Sequence, residues 1–519
     1  MVRDARRQAL AVCLVAAFMS GLDVSIVNVA LPSIKEGLNA SEAGLQWTVS
    51  GYALTFGLLL VPAGRLGDAR SRRTVFIWGA GLFTLASAAC GLAHSMPMLI
   101  ASRLVQGLAA GVLNPQVSGL IQQMFRGAER GRAFGALGAT IGVSTAAGPL
   151  IGGALVTAFG SDHGWRWVFL VNVPIGLIML PLAHRLLPPP TRPLPDPPPP
   201  DQVLRDRPSP TRPLPDLPPT DQVLRDRPSP ERPLTDPPPP DRSPSGRRSG
   251  GRRESMDPVG VLLLGLGVAL LLLPVIQQHQ WKGEAKWLLI PAALLVLAGF
   301  IVWERRYPRE PLIDLALFAK RSYSVGLTIA LFYFAGFTGI FFIFTLYLQS
   351  GLSYTPLMAG LAITPFALGS ASAAVVGGRL VTRAGRRVVA TGLTAVIVGL
   401  AATMAATLLV PGPGVALATA LPLLVAGLGS GLVISPNQAI TLSEVPPEGG
   451  GSAAGVLQTG QRLGSAIGIA AAGSVFFGSL PEGWPTAFRH GLLVVALCVT
   501  IALTAALYDL IRTTNTEKP

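Results

Sequence analysis

Charge is the scarce ingredient of this chain. Only 13% of its 519 residues are Asp, Glu, Lys or Arg, whereas 50% are hydrophobic. Soluble globular domains carry about 25% charged residues. With a mean hydropathy of +0.51, the composition excludes an ordinary soluble protein. Cysteine is scarcer still: Cys13, Cys90 and Cys498 each fall in an apolar run, so no disulfide framework is implied. The sequence also lacks a nucleotide-binding loop, metal-ligand spacing and any nucleophile–base pair. Neither an ATP-driven pump nor a membrane enzyme has support, and no metal or cofactor is expected.

What is present is a series of about fourteen apolar runs, from 10–31 to 488–511, each near the length a bilayer demands. Arg3, Arg6 and Arg7 before the first run resemble the start of a signal peptide. The run continues to about Pro32, so we read an uncleaved first helix. The formal net charge of +14 invites nucleic acid as a partner, but its placement argues against one. Arg70/Arg72/Arg73, Arg126/Arg130/Arg132, Arg305/Arg306/Arg309 and Arg383/Arg386/Arg387 fall in one set of alternate loops. Lys35, Arg166, Lys282, Lys286 and Arg489 are the basic residues of the other. The positive-inside rule makes the first set cytoplasmic, with both termini on that side. The preference for Arg over Lys, with abundant Ala, Gly and Pro, points to a bacterial cell membrane.

Two repeats organise the chain. Residues 188–257 are proline-rich and repetitive: Thr191 to Pro210 recurs almost unchanged at 211–230, and a partial copy begins at Glu231. Such a segment cannot bury a core and reads as an extended or disordered cytoplasmic linker. The second repeat is wider. Gly64-Arg65-Leu66 is answered by Gly378-Arg379-Leu380, and Gly107 to Gly111 by Gly427 to Gly431, with Pro115 and Pro436 close behind. Gly131 and Gly135 are answered by Gly451 and Gly455. We expect an all-α polytopic membrane protein: a six-helix half (1–187), the linker (188–257), two inserted helices (258–304) and a second six-helix half (305–519). Duplicated halves around a midplane site are an architecture of alternating-access transporters.

Five motifs sharpen this reading. Leu22-Asp23 through Asn28 to Pro32 forms the first. Gly64, Leu66, Asp68, Arg72 and Arg73 form the second, with Ser71 where Gly is usual. Arg103, Gln106 and Gly107 form the third. Gly148, Pro149, Gly152 and Gly153 form the fourth, with Ser144 replacing an expected Gly, and Trp165 to Gly176 the fifth. In this order and spacing the chain resembles the major facilitator superfamily, in its fourteen-span drug:proton antiporter branch (EmrB/QacA type). The resemblance covers everything but the proline linker.

Asp23 is the carboxylate inside the first apolar run, and a charge at membrane depth costs roughly 2.5–3.5 kcal/mol on insertion scales. The resemblance implies a proton or cation-substrate site there; the plainer reading is a carboxylate satisfied by a polar neighbour. Arg103 is a second membrane-depth charge, acting on Asp23 electrostatically or merely fixed to helix ends. Arg103, Gln106, Ala110 and Asn114 share one helix face, as do Gly455, Gln458, Gln461, Arg462 and Ser465. With Asn28 they are candidate cavity residues, although Arg462 could equally hold helices together. The aromatic run 331–347 could line a pocket, but most of those rings must meet lipid or helices. The resemblance makes Gly64, Asp68, Arg72 and Arg73 a cytoplasmic latch with the Asp near a helix N-terminus. Thr382 stands at the matching position of the second half, so the latch is expected to be one-sided. Gly148, Pro149, Gly152 and Gly153 are read as a conformational element.

The expected function is proton-coupled efflux of amphipathic, cationic or lipophilic drugs by alternating access, with small molecules, protons and membrane lipid as the partners. A dedicated exporter of one endogenous metabolite or antibiotic is the nearest alternative. A receptor or scaffold using the proline linker as a docking arm is a different class.

Overall fold

The computed structural model describes residues 2–160, 163–189, 257–276, 281, 283–307 and 312–516. Nearly all of the expected linker (190–256), together with Lys282 and Arg309, lies outside the described residues. The described chain is almost wholly helical. Its longer helices begin with α1 (Val2–Gly37), α2 (Glu42–Ala69), α3 (Arg72–Gly91), α4 (Met96–Met124) and α5 (Gly127–Phe159). α6 (Gly164–Leu170), α7 (Asn172–Leu186), α8 (Pro258–Ile276), α9 (Leu289–Arg306) and α10 (Arg321–Leu346) follow. The last five are α11 (Pro356–Ala384), α12 (Arg386–Leu409), α13 (Ala420–Thr441), α14 (Gly450–Gly478) and α15 (Trp484–Thr516).

Local chemistry sets the ends. Ser41 and Ser71 accept hydrogen bonds from the amides of Gly44 (3.1 Å) and Thr74 (3.3 Å), capping α2 and α3. Gly385, at φ +51°, makes the turn between α11 and α12. Pro174 lies in the first turn of α7 and cannot donate to the preceding turn, which accounts for the break from α6 at Val171.

Twelve helices among the described residues are long and apolar enough to cross a membrane. Pro258–Leu271 is a shorter apolar stretch within α8. α14 is long enough but falls outside the twelve, since Gln458, Gln461 and Arg462 interrupt its middle. The expected count of fourteen spans is therefore not established, whereas a multi-pass membrane protein is.

Packing follows the repeat. α2 against α4, α3 against α4 and α1 against α5 are answered by α11 against α13, α12 against α13 and α10 against α14. α8 and α9 pair with each other, and α8 also lies along α2 and α14. Beside lesser contacts of α4 with α14 and of α5 with α13, two contacts chiefly join the sets: α2 with α14, and α5 with α11. These are one contact made twice. A methyl group on Gly64 would lie 2.3 Å from the Gly451 carbonyl oxygen, and one on Gly378 would lie 2.4 Å from that of Gly131. The matching glycines of the sequence repeat are thus the points where backbones touch, as small residues allow in membrane bundles.

Candidate functional site

Asp23 sits in the middle of α1, fully buried. Its carboxylate accepts from three side chains on two helices: Arg103 Nη1 at 2.7 Å, Gln106 Nε2 at 2.8 Å and Asn172 Nδ2 at 3.1 Å. Arg103 also donates from Nε to the Thr48 carbonyl at 3.0 Å and from Nη1 to Gln106 Oε1 at 2.7 Å. Ser87 Oγ accepts from Gln106 (2.6 Å) and Asn172 (3.1 Å), tying α3 to the cluster. The Arg103 guanidinium lies 4.1 Å from the centre of the Tyr52 ring. Five helices therefore converge on one ion pair. Breaking such a pair by removing one partner costs about 3–5 kcal/mol, because a buried charge is left uncompensated.

A second cluster lies at the end of the bundle carrying Arg70, Arg72 and Arg73. Asp68 accepts from Arg72 Nη2 at 2.6 Å and Nε at 3.0 Å, across the break between α2 and α3. Across the helix sets, the same carboxylate accepts from the amides of Gly451 (2.9 Å) and Ser452 (2.8 Å) and from Ser452 Oγ (3.0 Å). Those amides open α14, whose N-terminal dipole favours an anion. Arg72 also donates to the carbonyls of Gly119 (3.2 Å), Glu448 (3.3 Å) and Pro447. Arg73 instead donates to the His184 carbonyl within the first set. Among the described residues Thr382, at the position matching Asp68, bonds only the Arg379 carbonyl of its own helix.

The glycine–proline motif of α5 works as a wedge. A methyl on Gly148 would lie 1.9 Å from Ser25 Oγ and 2.9 Å from the Ile26 amide, and one on Gly152 would meet Ile26, so this face packs on α1. Pro149 and Gly153 turn toward Gly360 and Leu357 of α11. One helix thus touches both sets with alternate faces.

The candidate cavity residues do not form one site. Gln106 belongs to the ion-pair cluster rather than to a cavity wall. Asn114 exchanges long hydrogen bonds of 3.4 Å with Ser20 and donates to Ala110. Gln458 of α14 donates to Ser118 Oγ of α4 at 3.3 Å. Asn28 is exposed on α1 and joins none of these groups. Gln461 and Arg462 are half-buried, and the Arg462 guanidinium lies 4.1 Å from the centre of the Phe56 ring. Sequence reasoning gave no role to Tyr52, Ser87, Thr48 or Asn172. A lone Asn before Pro174 in an apolar run was the available signal for the last of them.

The Major Facilitator Superfamily family model matches residues 13–469, with a second match at 326–518. The chain belongs to this superfamily. It is 34% identical over 491 residues to a protein named "Probable actinorhodin transporter" from Streptomyces coelicolor, covering 92% of this chain and 73% of that one. It is 31% identical over 468 residues to a multidrug resistance protein, Stp, from Mycobacterium tuberculosis, covering 88% and 73%. A solved structure of the proton:xylose symporter XylE superposes with a TM-score of 0.62 at 14% identity, covering 98% of this chain and 96% of that one. That likeness speaks for the fold alone. As a superfamily member this is a membrane transport protein and not an enzyme, and the relatives it matches include proteins named for cephamycin export and for tetracenomycin C resistance and export.

Proposed function

We propose that this protein is a proton-coupled antiporter that exports amphipathic, lipophilic compounds from a bacterial cell by alternating access. The observation that carries the proposal is the Asp23–Arg103 pair, a titratable carboxylate at mid-helix depth held by groups from separate helices. Protonation of Asp23 removes the charge that holds Arg103, so proton entry loosens the first helix set. On the positive-inside rule the basic end is cytoplasmic, with both termini there. The Asp68–α14 contact then closes the cytoplasmic side, and release of Arg103 biases the sets toward opening it. The two six-helix sets rock around α5, with α8 and α9 as an inserted hairpin and residues 188–257 as the linker between them.

A cation would find no free carboxylate at Asp23, because both its oxygens are already engaged. A preference for cationic drugs therefore loses the residue on which it rested. The second reading, a dedicated exporter of one endogenous antibiotic, is favoured by the name of the 34% identical relative. A panel of substrates separates the two.

The test is uptake of lipophilic dyes into inverted membrane vesicles energised by an imposed proton gradient. Wild type should accumulate dye, and Asp23→Asn should lose the gradient-driven component while keeping exchange of dye down its own gradient. Uptake that ignores the proton gradient, or an Asp23→Asn variant that responds as wild type does, would remove Asp23 from the coupling.

A further inference from the structure

Charges at mid-helix depth fall into two kinds. Asp23 and Arg103 neutralise each other. Arg462 does not share that pair: among the described residues no carboxylate lies within ion-pair distance of it, and its guanidinium rests on the Phe56 ring alone. Arg462 is twelve residues into α14, about 18 Å along the helix from its first residue. It therefore lies near the middle of a membrane-length helix.

The side chain does not point to the outer surface. Arg462 follows Gln458 by one helical turn, on the face whose amide meets Ser118 of α4. The inserted helix α8 covers α2 at Leu58, where Gly265 packs against it, and Leu58 is roughly 200° around the helix from Phe56. Arg462 thus faces the space between the two helix sets while remaining half-exposed there.

A second observation lies beside it. Tyr52, four residues before Phe56 with its ring 5.9 Å away, is 3% exposed, and its hydroxyl has no hydrogen-bond partner among the described residues. Arg103, Tyr52, Phe56 and Arg462 form one row of cation, ring, ring and cation, with each guanidinium 4.1 Å from its ring centre and the rings tilted by 52°. A guanidinium without a counter-ion, an idle buried hydroxyl and two rings describe a receptor for an anion on an aromatic frame.

We infer that Arg462 binds the acidic group of the exported compound, which carries a carboxylate or an ionised phenol on a planar aromatic body. This rests on the exporter reading and reverses the charge expected for the substrate. Asp23 keeps the proton, and Arg462 takes the cargo. Tyr52 lies between them, so the loading of one site reaches the other through adjoining rings.

The experiment compares two xanthene dyes of similar size and opposite charge. Fluorescein carries a free carboxylate and an ionised phenol; rhodamine 123 is an esterified cation. Binding of each to purified protein in detergent is read by fluorescence polarisation, without any gradient. Fluorescein should bind more tightly than rhodamine 123. Arg462→Gln should weaken fluorescein binding roughly tenfold or more, the scale of a lost charge-assisted hydrogen bond, while Arg462→Lys retains part of it. A residue that only holds helices together would shift melting temperature without changing the ratio of the two dye affinities. Absence of fluorescein binding to folded wild type, tighter binding of rhodamine 123, or an unchanged ratio in Arg462→Gln would overturn the assignment. Fluorescein that binds through Arg462 but is not moved by a proton gradient in inverted vesicles would keep the anion site and sink the proton-coupled reading.

Discussion

Asp68→Asn tests the latch at a single oxygen. The carboxylate accepts from the Gly451 and Ser452 amides through different oxygens, at 2.9 and 2.8 Å. An amide side chain offers only one acceptor, so one of those bonds is lost and the other becomes neutral. Hydrogen bonds to charged groups contribute about 1.5–3 kcal/mol, against about 0.5–1.5 for neutral ones. Loss of a charge at a helix N-terminus removes about 0.3–1 kcal/mol more. Together the contact between α2 and α14 weakens by about 3–5 kcal/mol. Arg72 is not orphaned, since it keeps the carbonyls of Gly119, Pro447 and Glu448. At 1.4 kcal/mol per tenfold, opening at the start of α14 becomes roughly 100- to 4,000-fold more frequent. Hydrogen exchange of the segment 447–457 should accelerate by that factor, with 388–400 in α12 as the internal control. Unchanged exchange in 447–457 would refute the latch, and equal acceleration in both segments would show general destabilisation instead.

Two further perturbations follow from the geometry. Gly64→Val places side-chain carbon against the Gly451 backbone, which cannot turn aside, and Gly378→Val does the same against Gly131. Each should abolish dye transport in inverted vesicles at normal expression, and transport at the wild-type rate by either variant would show that the helices need not meet there. Asp23→Asn should lower thermal stability by the equivalent of about 3–5 kcal/mol, by leaving Arg103 buried without its anion. Adding Arg103→Gln should restore much of that loss in a melting experiment, whereas simple additivity would mean that the two side chains are not energetically coupled.

The helical class and the repeat were legible because both are written in local patterns. Membrane-length apolar runs betray the helices, and the glycines at 64, 131, 378 and 451 recur with their neighbours. Their meaning was not legible. That Gly64 touches Gly451 and Gly378 touches Gly131 follows from helix sets crossing, which no local pattern records. Asp23 and Arg103 were visible as isolated charges, but their pairing joins residues 80 apart. Asn172 stood in the sequence only as a member of the Trp165 to Gly176 motif, and α7 carries it to Asp23 from 149 positions away. The expected latch shows the same limit: the resemblance implied that Asp68 lies near some helix N-terminus, and only the fold supplies α14. The count of fourteen spans is left open for a different reason: α8 holds only a short apolar stretch, and Gln458, Gln461 and Arg462 interrupt the apolar run of α14.

The division of charge between the helix sets also bears on energetics. If Asp23 takes one proton inward per cycle and Arg462 carries one monovalent anion outward, two positive charges effectively move inward. Each is worth about 2.3 kcal/mol per 100 mV of inside-negative potential. Two are worth about 4.6 kcal/mol, enough for a concentration ratio on the order of 1,000 at 1.4 kcal/mol per tenfold. A monovalent cation leaving for the same proton would move no net charge, and only the proton concentration gradient could drive it. The electrical potential therefore becomes a driving force because of where the unpaired charge sits. If Arg462 carries the anion, this one arginine on α14, without a counter-ion among the described residues, decides whether the exporter can use it.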